Sequence, residues 1–223
     1  MHALIVLAHP EPGSFSAALA QTAVMALTTA GWTVDLDDLA REGFRRDVSR
    51  EDFLPVPEGH VQVMYAQEAA TVSNGYAPDV ADQIARLQRA DLLITVSPFW
   101  WFSISGLLKN WIDRVFANGV AYGPDPYNEG PLKGMRALAA FAVGGDAEMY
   151  GPSGSAGDIR ALLNPLLHGT FGYCAMDVLE PFVVFEADGA DASVRERALA
   201  QFAARLAGIA GEDPIRTEPL RQS

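Results

Sequence analysis

The chain has 223 residues, 49 % hydrophobic and 20 % charged, which suits one α/β domain, residues 1–223, with a substantial core. Its formal net charge of −12, from 28 acidic and 16 basic side chains, argues against nucleic acid and anionic membranes as partners. Because Cys174 is the only cysteine, no intrachain disulfide can form, and because no basic leader precedes the first apolar run, we expect a cytoplasmic protein without stable membrane insertion.

In its first half the chain alternates apolar runs with segments of helical period. The runs lack polar alternation, which is typical of strands buried on both faces, and the helical segments carry one apolar face. In chain order we predict a strand at residues 1–8, a helix from Phe15 to Gly31, a strand at 32–36, a polar connection at 40–59, helices at 61–72 and 79–88, and a strand at 92–96.

The second half repeats this alternation. The remaining predicted elements are a helix at residues 107–116, a strand at 136–143, a helix at 159–167, a strand at 178–185 and a last helix from Val194 to Leu206. Strands separated by helices imply a parallel sheet with helices on both faces, because parallel pairing needs crossover connections. The sequence thus predicts an α/β, doubly wound, flavodoxin-like fold whose five strands follow the order 2-1-3-4-5.

Three loops follow strands at the edge where such sheets bind ligands. In open α/β sheets the site lies beyond the carboxyl ends of the strands, where the winding direction switches. The loops that this rule selects are residues 9–16, 97–105 and 144–157.

The first loop, AHPEPGSFS, places Ser14 or Ser16 at the start of a helix. Backbone N–H groups and the positive end of the helix dipole would hold an anion there. The loop is neither a Walker loop nor a G-x-G-x-x-G fingerprint, and an ordinary helix N-cap explains its serines equally well.

The second loop contains four consecutive aromatic residues, Phe99, Trp100, Trp101 and Phe102. Neither helical nor strand periodicity explains such a run, so we predict that it covers a flat ligand, although tryptophan more commonly fills cores or interfaces. In the third loop, Gly144–Gly145 would allow a planar ligand to approach the backbone or would simply form a turn. Tyr150 is either a hydrogen-bond donor to a cofactor or a half-exposed loop ring.

Several kinds of catalytic equipment are absent from the sequence. The four histidines show no metal-ligand spacing with Cys or carboxylates, and no G-x-S-x-G nucleophile elbow occurs. Cys174, just ahead of a strand, has the character of a small core residue. The sequence combines an aromatic crevice with an anion-binding helix start but lacks metal-ligating and acid–base groups. This combination points to a bound organic cofactor that supplies the chemistry. A cofactor with a flat ring system and a phosphorylated tail is a flavin.

Five ordered motifs resemble the NAD(P)H:quinone dehydrogenase family, the DT-diaphorase type of flavodoxin-like flavoproteins. They are ALIVLAHPEPGSF, SPFWWF-x5-LK-x-W-x2-RVF, GPLKGMRALAAFAVGG, MYGPSG-x2-GD and VLEP, spread over residues 3–206. The resemblance implies bound FAD, a homodimer whose two sites each use both subunits, and two-electron reduction of quinones by ping-pong hydride transfer. NAD(P)H is the implied hydride donor.

The resemblance also implies roles for individual residues. Contacts to the FAD phosphates and ribose fall on His9, Ser14, Phe15 and Ser16. The isoalloxazine would be lined by Pro98, Phe99, Trp100, Trp101 and Phe102, with Trp101 and Phe102 nearest the substrate. Backbone donors to the polar edge of the flavin fall on Ala142, Val143, Gly144 and Gly145. Arg195 would lie near the adenosine, and Tyr150 would accommodate charge on the reduced flavin. Tyr122 and Met176 would cap the substrate pocket of the neighbouring subunit.

At three positions the chain departs from the family pattern. The histidine that partners the family tyrosine falls on Ala156, a second pocket tyrosine on Pro124, and a glutamine beside the flavin on Trp100. Two other functions share this fold. One is an electron carrier that holds FMN, although the T-x-T-G-x-T phosphate loop usual in flavodoxins is absent. The other is an ancillary regulatory subunit of a membrane potassium-efflux system.

Overall fold

The computed structural model describes residues 1–44, 46–187, 189 and 191–218, so the last five residues of the predicted domain lie outside the described part. The strands are β1 His2–Leu7, β2 Thr33–Asp38, β3 Leu92–Trp100, β4 Ser103–Ile104, β5 Arg136–Ala142, β6 Asp177–Val178 and β7 Phe182–Val184. The α-helices are α1 Phe15–Thr29, α2 Val63–Ser73, α3 Pro78–Gln88, α4 Gly106–Val115, α5 Ile159–Leu166 and α6 Ala192–Ala207. Helix α5 continues as a π-helical turn, Leu167–Gly172.

The parallel strands follow the order β2-β1-β3-β5-β6, and β7 also pairs with β5. This arrangement confirms the predicted flavodoxin-like sheet. The predicted fifth strand is divided into β6 and β7 at residues 179–181. Pro181 interrupts the pairing because it has no N–H to donate to the ladder.

Both faces of the sheet are buried, which explains why the strands lack polar alternation. Ala3, Ile5 and Leu7 of β1 pack with α1 and α6, while the intervening residues Leu4 and Val6 belong to the opposite core. The core beneath α1 and α6 includes Leu19, Leu27, Phe202 and Leu206. The core on the other face is larger and is built around Trp111, Phe141 and Phe171.

Strand β3 is longer than predicted and leads into a hairpin. Trp100 pairs with Ser103 of the antiparallel strand β4, so Trp101 and Phe102 form a two-residue turn. This strand was predicted to end at residue 96, because Pro98 and the serines at 97, 103 and 105 interrupt the apolar run. Pro98 nevertheless lies in register with Ala142 of β5. The hairpin, residues 98–104, extends β3 past the end of β1.

An ion pair buried beneath α4 anchors the connection between β2 and α2. Arg114 of α4 is 1 % exposed, and its Nη2 lies 2.9 Å from Asp52 Oδ1 and 2.6 Å from Asp79 Oδ2. Its guanidinium carbon lies 4.0 Å from the ring centroid of Phe44. Arg46 also contacts Asp52, at 3.0 Å. This network fixes a stretch for which the sequence pattern predicted only a polar connection.

The segment after α6 runs back along the outer edge of the sheet. Arg136 Nη1 donates to the carbonyl oxygens of Ile209 and Glu212, at 2.9 and 2.7 Å. The Ile215 N–H then donates to the Val178 carbonyl oxygen of β6 at 2.8 Å. Among the described residues, no helix has both the length and the apolar character that crossing a bilayer requires.

Candidate active site

The three predicted loops meet at a cavity of about 730 Å³ beyond the carboxyl ends of β1, β3 and β5. Its lining residues are His9, Glu11, Ser14, Phe15, Ser16, Pro98, Phe99, Trp100, Trp101, Ala142, Gly144, Gly145 and Tyr150. This is the edge of the sheet at which the winding direction switches. All of these residues except Glu11 were predicted from the sequence as site residues.

The first loop forms the start of α1. Ser14 is the N-cap, and its hydroxyl accepts a hydrogen bond from the Ala17 N–H at 3.1 Å. The Ser16 hydroxyl is buried in the cavity wall and has no hydrogen-bond partner among the described residues. An unpaired buried hydroxyl is costly, so Ser16 is suited to receive a polar group of a ligand. The helix dipole favours a negatively charged group at the same place.

Glu11 is the lining residue that sequence reasoning missed. Its Oε1 accepts a hydrogen bond from the Gly13 N–H at 3.1 Å, so its carboxylate lies within the loop that leads into α1. The Glu11 N–H in turn donates to His9 Nδ1 at 3.0 Å, which orients the imidazole. The only sequence signal was its place inside the first motif, because this contact depends on the loop folding back on itself.

The four aromatic residues of the hairpin lie in different environments. Phe99 is 5 % exposed and packs edge-on against Phe141 and Tyr150, with centroids 5.9 and 5.8 Å away. Trp100 presents its ring to His9, with centroids 5.5 Å apart. Trp101, at the tip, is 92 % exposed. The Phe102 ring lies 6.4 Å from that of Tyr150 but is not among the lining residues of the cavity.

The turn of the hairpin has an unusual backbone. Trp101 and Phe102 have φ angles of 50° and 59°, in the left-handed region. Two-residue hairpin turns of this kind favour Asn-Gly, and a bulky side chain there costs about 1–2 kcal/mol per residue. Such strain persists only where surrounding structure fixes it, and it tends to occur at functional sites. The strained turn directs two aromatic rings toward solvent beside the cavity.

Gly145 allows the third loop to fold tightly beside the cavity. A Cβ atom at this position would lie 2.8 Å from Tyr150 Cε2 and 3.0 Å from Met149 Sδ. The Tyr150 ring stacks on Phe185, with centroids 6.0 Å apart, and among the described residues no group hydrogen-bonds to its hydroxyl. The phenol therefore has a fixed ring and a hydroxyl that remains available to a ligand.

Some predicted site residues lie away from the cavity. Val143 is fully buried, and its N–H donates to the Val184 carbonyl oxygen at 2.8 Å, so that donor is used by the sheet. Arg195 is exposed on α6 and does not line the cavity. Of the residues expected to cap a neighbouring pocket, Met176 is 6 % exposed and belongs to the core. Tyr122 is half-buried, with its ring centroid 5.5 Å from that of Tyr173.

Tyr122 lines a separate hollow of about 470 Å³ between α2, α4 and the π-helical turn. Cys174 lies in its wall and is 2 % exposed. Burial raises the pKa of the Cys174 thiol to about 12, so the thiol stays protonated at neutral pH and is a poor nucleophile. In the described part of the chain, no group of three or more His, Cys, Asp or Glu side chains is arranged to hold a metal ion.

Comparison with known proteins identifies the family. A family described as having a flavodoxin-like fold matches residues 1–207. Ribosyldihydronicotinamide dehydrogenase (quinone) of Mus musculus is 38 % identical over 219 residues, which are 97 % of this chain and 95 % of that protein. NAD(P)H dehydrogenase (quinone) 1 of Cavia porcellus is 34 % identical over 220 residues, which are 97 % of this chain and 80 % of that one.

A solved structure agrees with these relatives. A Klebsiella pneumoniae protein described as a candidate quinone reductase superposes with a TM-score of 0.89 at 32 % identity, covering 96 % of this chain and 87 % of that one. The fold, the ordered motifs and the similarity over nearly the whole chain therefore all indicate the same family. The chain belongs to the NAD(P)H:quinone dehydrogenase family of flavodoxin-like oxidoreductases, as its motifs predicted.

Proposed function

We propose that the protein is a cytoplasmic, single-domain flavoprotein, residues 1–223, that uses NAD(P)H to reduce quinones by two electrons. The observation that carries this proposal is the cavity at the strand ends, where a helix start, a strained aromatic hairpin and a glycine-lined loop converge. A bound flavin would supply the hydride transfer between NAD(P)H and the quinone. The protein would supply binding, orientation and hydrogen-bond donors.

The lining residues fit an isoalloxazine with a phosphorylated tail. The phosphate end suits the start of α1, where Ser14 caps the helix and Ser16 has an unpaired buried hydroxyl. The ring suits the space between Phe99 and Gly145, because one side of it is apolar and the other offers backbone N–H groups. Tyr150 would donate its hydroxyl to the polar edge of the ring.

We propose FAD rather than FMN as the cofactor, with Arg195 contributing at the adenosine end. Arg195 is exposed on α6, the helix that packs against α1. Purified protein heated to release its flavin should yield FAD on chromatography. Recovery of FMN alone would contradict this choice, and absence of flavin binding after incubation with FAD would contradict the cofactor itself.

The activity is tested by NAD(P)H oxidation with a panel of quinones. If NAD(P)H and the quinone occupy the same space in turn, double-reciprocal plots at several quinone concentrations should give parallel lines. Intersecting lines would instead indicate that both substrates are bound together. NADH and NADPH should be compared side by side. A flavin-loaded protein that oxidises neither in the presence of any quinone would refute the proposed function.

We further propose a homodimer in which Tyr122 contributes to the neighbouring site; Met176, which is buried in the core, is not assigned that role. The start of α2 exposes Val63, Met64 and Tyr65 by 37, 47 and 59 %, and Val63 and Met64 line the same hollow as Tyr122. Clustered exposed apolar side chains mark association surfaces. Light scattering should give twice the chain mass. A fully active monomer would contradict a site built from two subunits.

Trp101→Ala is expected to weaken flavin or quinone binding by about tenfold, since a stacked aromatic pair contributes about 0.5–1.5 kcal/mol. The free energy of unfolding should change by less than about 0.5 kcal/mol, because the indole is 92 % exposed. Flavin titration and the quinone KM at saturating flavin separate the two binding effects, and Trp101→Phe is the matched control. Lost stability with unchanged binding would show that the indole only fills space.

Tyr150→Phe is expected to slow the half-reaction with NAD(P)H by about tenfold or less, near 1 kcal/mol. The Phe99 and Phe185 contacts would keep the ring in place, and the Gly144 and Gly145 N–H groups cannot be removed by side-chain substitution. Stopped-flow mixing of the flavin-loaded variant with NAD(P)H measures the rate. A loss beyond about a hundredfold, as for a lost oxyanion donor, would show that Tyr150 bears most of the charge stabilisation.

A further inference from the structure

Two buried hydroxyl groups lie at the base of the aromatic hairpin. Ser97 of β3 is 0 % exposed and Ser105, the N-cap of α4, is 3 % exposed. Their Oγ atoms are 3.1 Å apart, and the Ser105 N–H donates to Ser97 Oγ at 3.2 Å. The Ser97 hydroxyl also lies 3.0 Å from the Pro98 carbonyl oxygen, so its single proton can go to either acceptor.

This pair joins the hairpin to the first loop. The Ser105 hydroxyl donates to the Ala8 carbonyl oxygen at 3.2 Å, and Ala8 directly precedes His9. At the other end of the hairpin, the ring of Trp100 meets that of His9 at 5.5 Å. Two contacts therefore connect the hairpin to the first loop. One is made by the serine hydroxyl groups at the base of the hairpin, and the other is the ring contact beside the cavity.

The hairpin needs such a tie because its own pairing is short. Strand β4 has two residues, which pair with Phe99 and Trp100. The turn that joins the strands has two bulky residues in the left-handed region. A short hairpin with a strained turn is not fixed by its own hydrogen bonds, so its position relative to the first loop depends on external contacts.

We propose that Ser97 and Ser105 are positioning residues that hold the aromatic hairpin against the first loop and so set the width of the flavin cavity. This inference rests on the proposed function, since it concerns the same cavity. Neither serine lines the cavity. They act through Trp100 and His9, whose spacing defines one end of the cavity.

If the two serines only capped α4, their substitution would have different effects. Ser105 Oγ accepts from the Leu108 N–H at 3.4 Å, so substitution of Ser105 removes a cap as well as the tie. Substitution of Ser97 leaves the cap and the bond to Ala8 in place and removes only the bonds that hold Ser105 to β3. Ser97→Ala is therefore the decisive variant, and Ser105→Thr, which keeps a hydroxyl able both to cap the helix and to donate to Ala8, is the conservative control.

The test compares wild type, Ser97→Ala, Ser105→Ala, Ser105→Thr and the double alanine variant by three measurements. These are thermal unfolding of the flavin-free protein, titration with FAD followed by the visible circular dichroism of the bound flavin, and steady-state kinetics with one quinone. We expect Ser97→Ala to weaken FAD binding and to raise the quinone KM, each by about fivefold, as for one average hydrogen bond. The flavin dichroism should change, and kcat should fall by less than twofold.

If Ser97 and Ser105 act as one unit, the effects of their substitutions on FAD binding should not add. The double alanine variant should bind FAD no more weakly than Ser105→Ala alone, because residues in one hydrogen-bond network do not act independently. Ser105→Thr should restore wild-type dichroism and KM. Ser97→Ala with unchanged FAD affinity, dichroism and KM would overturn the proposal, even if its melting temperature fell. A wild-type protein that binds FAD without reducing quinones would refute the proposed function, while the binding and dichroism measurements would still test the positioning role.

Discussion

Gly154→Ala should weaken flavin binding by about a hundredfold, although residue 154 does not line the cavity. A Cβ at this position would lie 2.1 Å from the Met149 carbonyl oxygen and 2.5 Å from that of Glu148, distances that only backbone movement can relieve. Forcing a methyl group into filled space costs about 1–3 kcal/mol, and each 1.4 kcal/mol corresponds to about tenfold in affinity. The movement would displace Tyr150, which directly follows Met149.

The same loop supplies a matched control. At Gly151 an added Cβ would meet its nearest neighbour, the Glu148 carbonyl oxygen, at 3.5 Å, an ordinary contact. Gly151→Ala should therefore bind flavin within about threefold of wild type, a difference of about 0.7 kcal/mol. Fluorescence titration of the flavin-free proteins measures both affinities. Equal affinities for the two variants would show that the loop yields without moving Tyr150.

Arg114→Met should lower the free energy of unfolding by about 3–5 kcal/mol, the usual consequence of removing one partner of a buried ion pair. The Asp52 side chain, 2 % exposed, would keep the contact with Arg46 at 3.0 Å and the hydrogen bond from the Ser49 N–H at 3.1 Å. The contact of Arg114 with Phe44 would be lost as well. Methionine preserves much of the side-chain volume, so the expected loss is electrostatic rather than a cavity effect.

Lys109→Met is the control for this substitution. Lys109 pairs with Asp113 at 2.6 Å on the exposed side of the same helix, where an ion pair contributes about 0.3–0.5 kcal/mol. Urea unfolding curves for the two variants and wild type give the comparison, provided that the m values agree. If both variants lost the same small amount of stability, the Arg114 network would contribute no more than a surface pair.

Local patterns were sufficient to predict the sheet and the three loops that meet at the cavity. Unbroken apolar strands separated by helical periods specify a parallel sheet, and the carboxyl ends of β1, β3 and β5 then select three loops. These are the loops that line the cavity. The serine at the start of α1 was interpreted both as a helix cap and as part of an anion site, and Ser14 does cap the helix.

Features that depend on distant contacts were not predictable from local patterns. Arg114 and Asp52 are 62 positions apart, so neither residue alone indicates a buried pair. The turn at Trp101 and Phe102 breaks the sequence preference for Asn or Gly, and local propensity therefore predicted a loop. The backbone N–H of Val143 was predicted as a flavin donor, but it donates to Val184 of β7, 41 residues later in the chain. Such assignments require the tertiary fold.

The chain segment that follows α6 protects the sheet against self-association. An uncovered outer strand offers free N–H and C=O groups to a second molecule, which can lead to edge-to-edge aggregation. The bond from the Ile215 N–H to Val178 covers β6 with the protein's own main chain. A chain shortened before Asp213 would keep every residue that lines the cavity, so its defect would be precipitation on storage rather than loss of cofactor. The segment that covers the sheet edge and the loops that line the cavity are thus separate parts of the polypeptide.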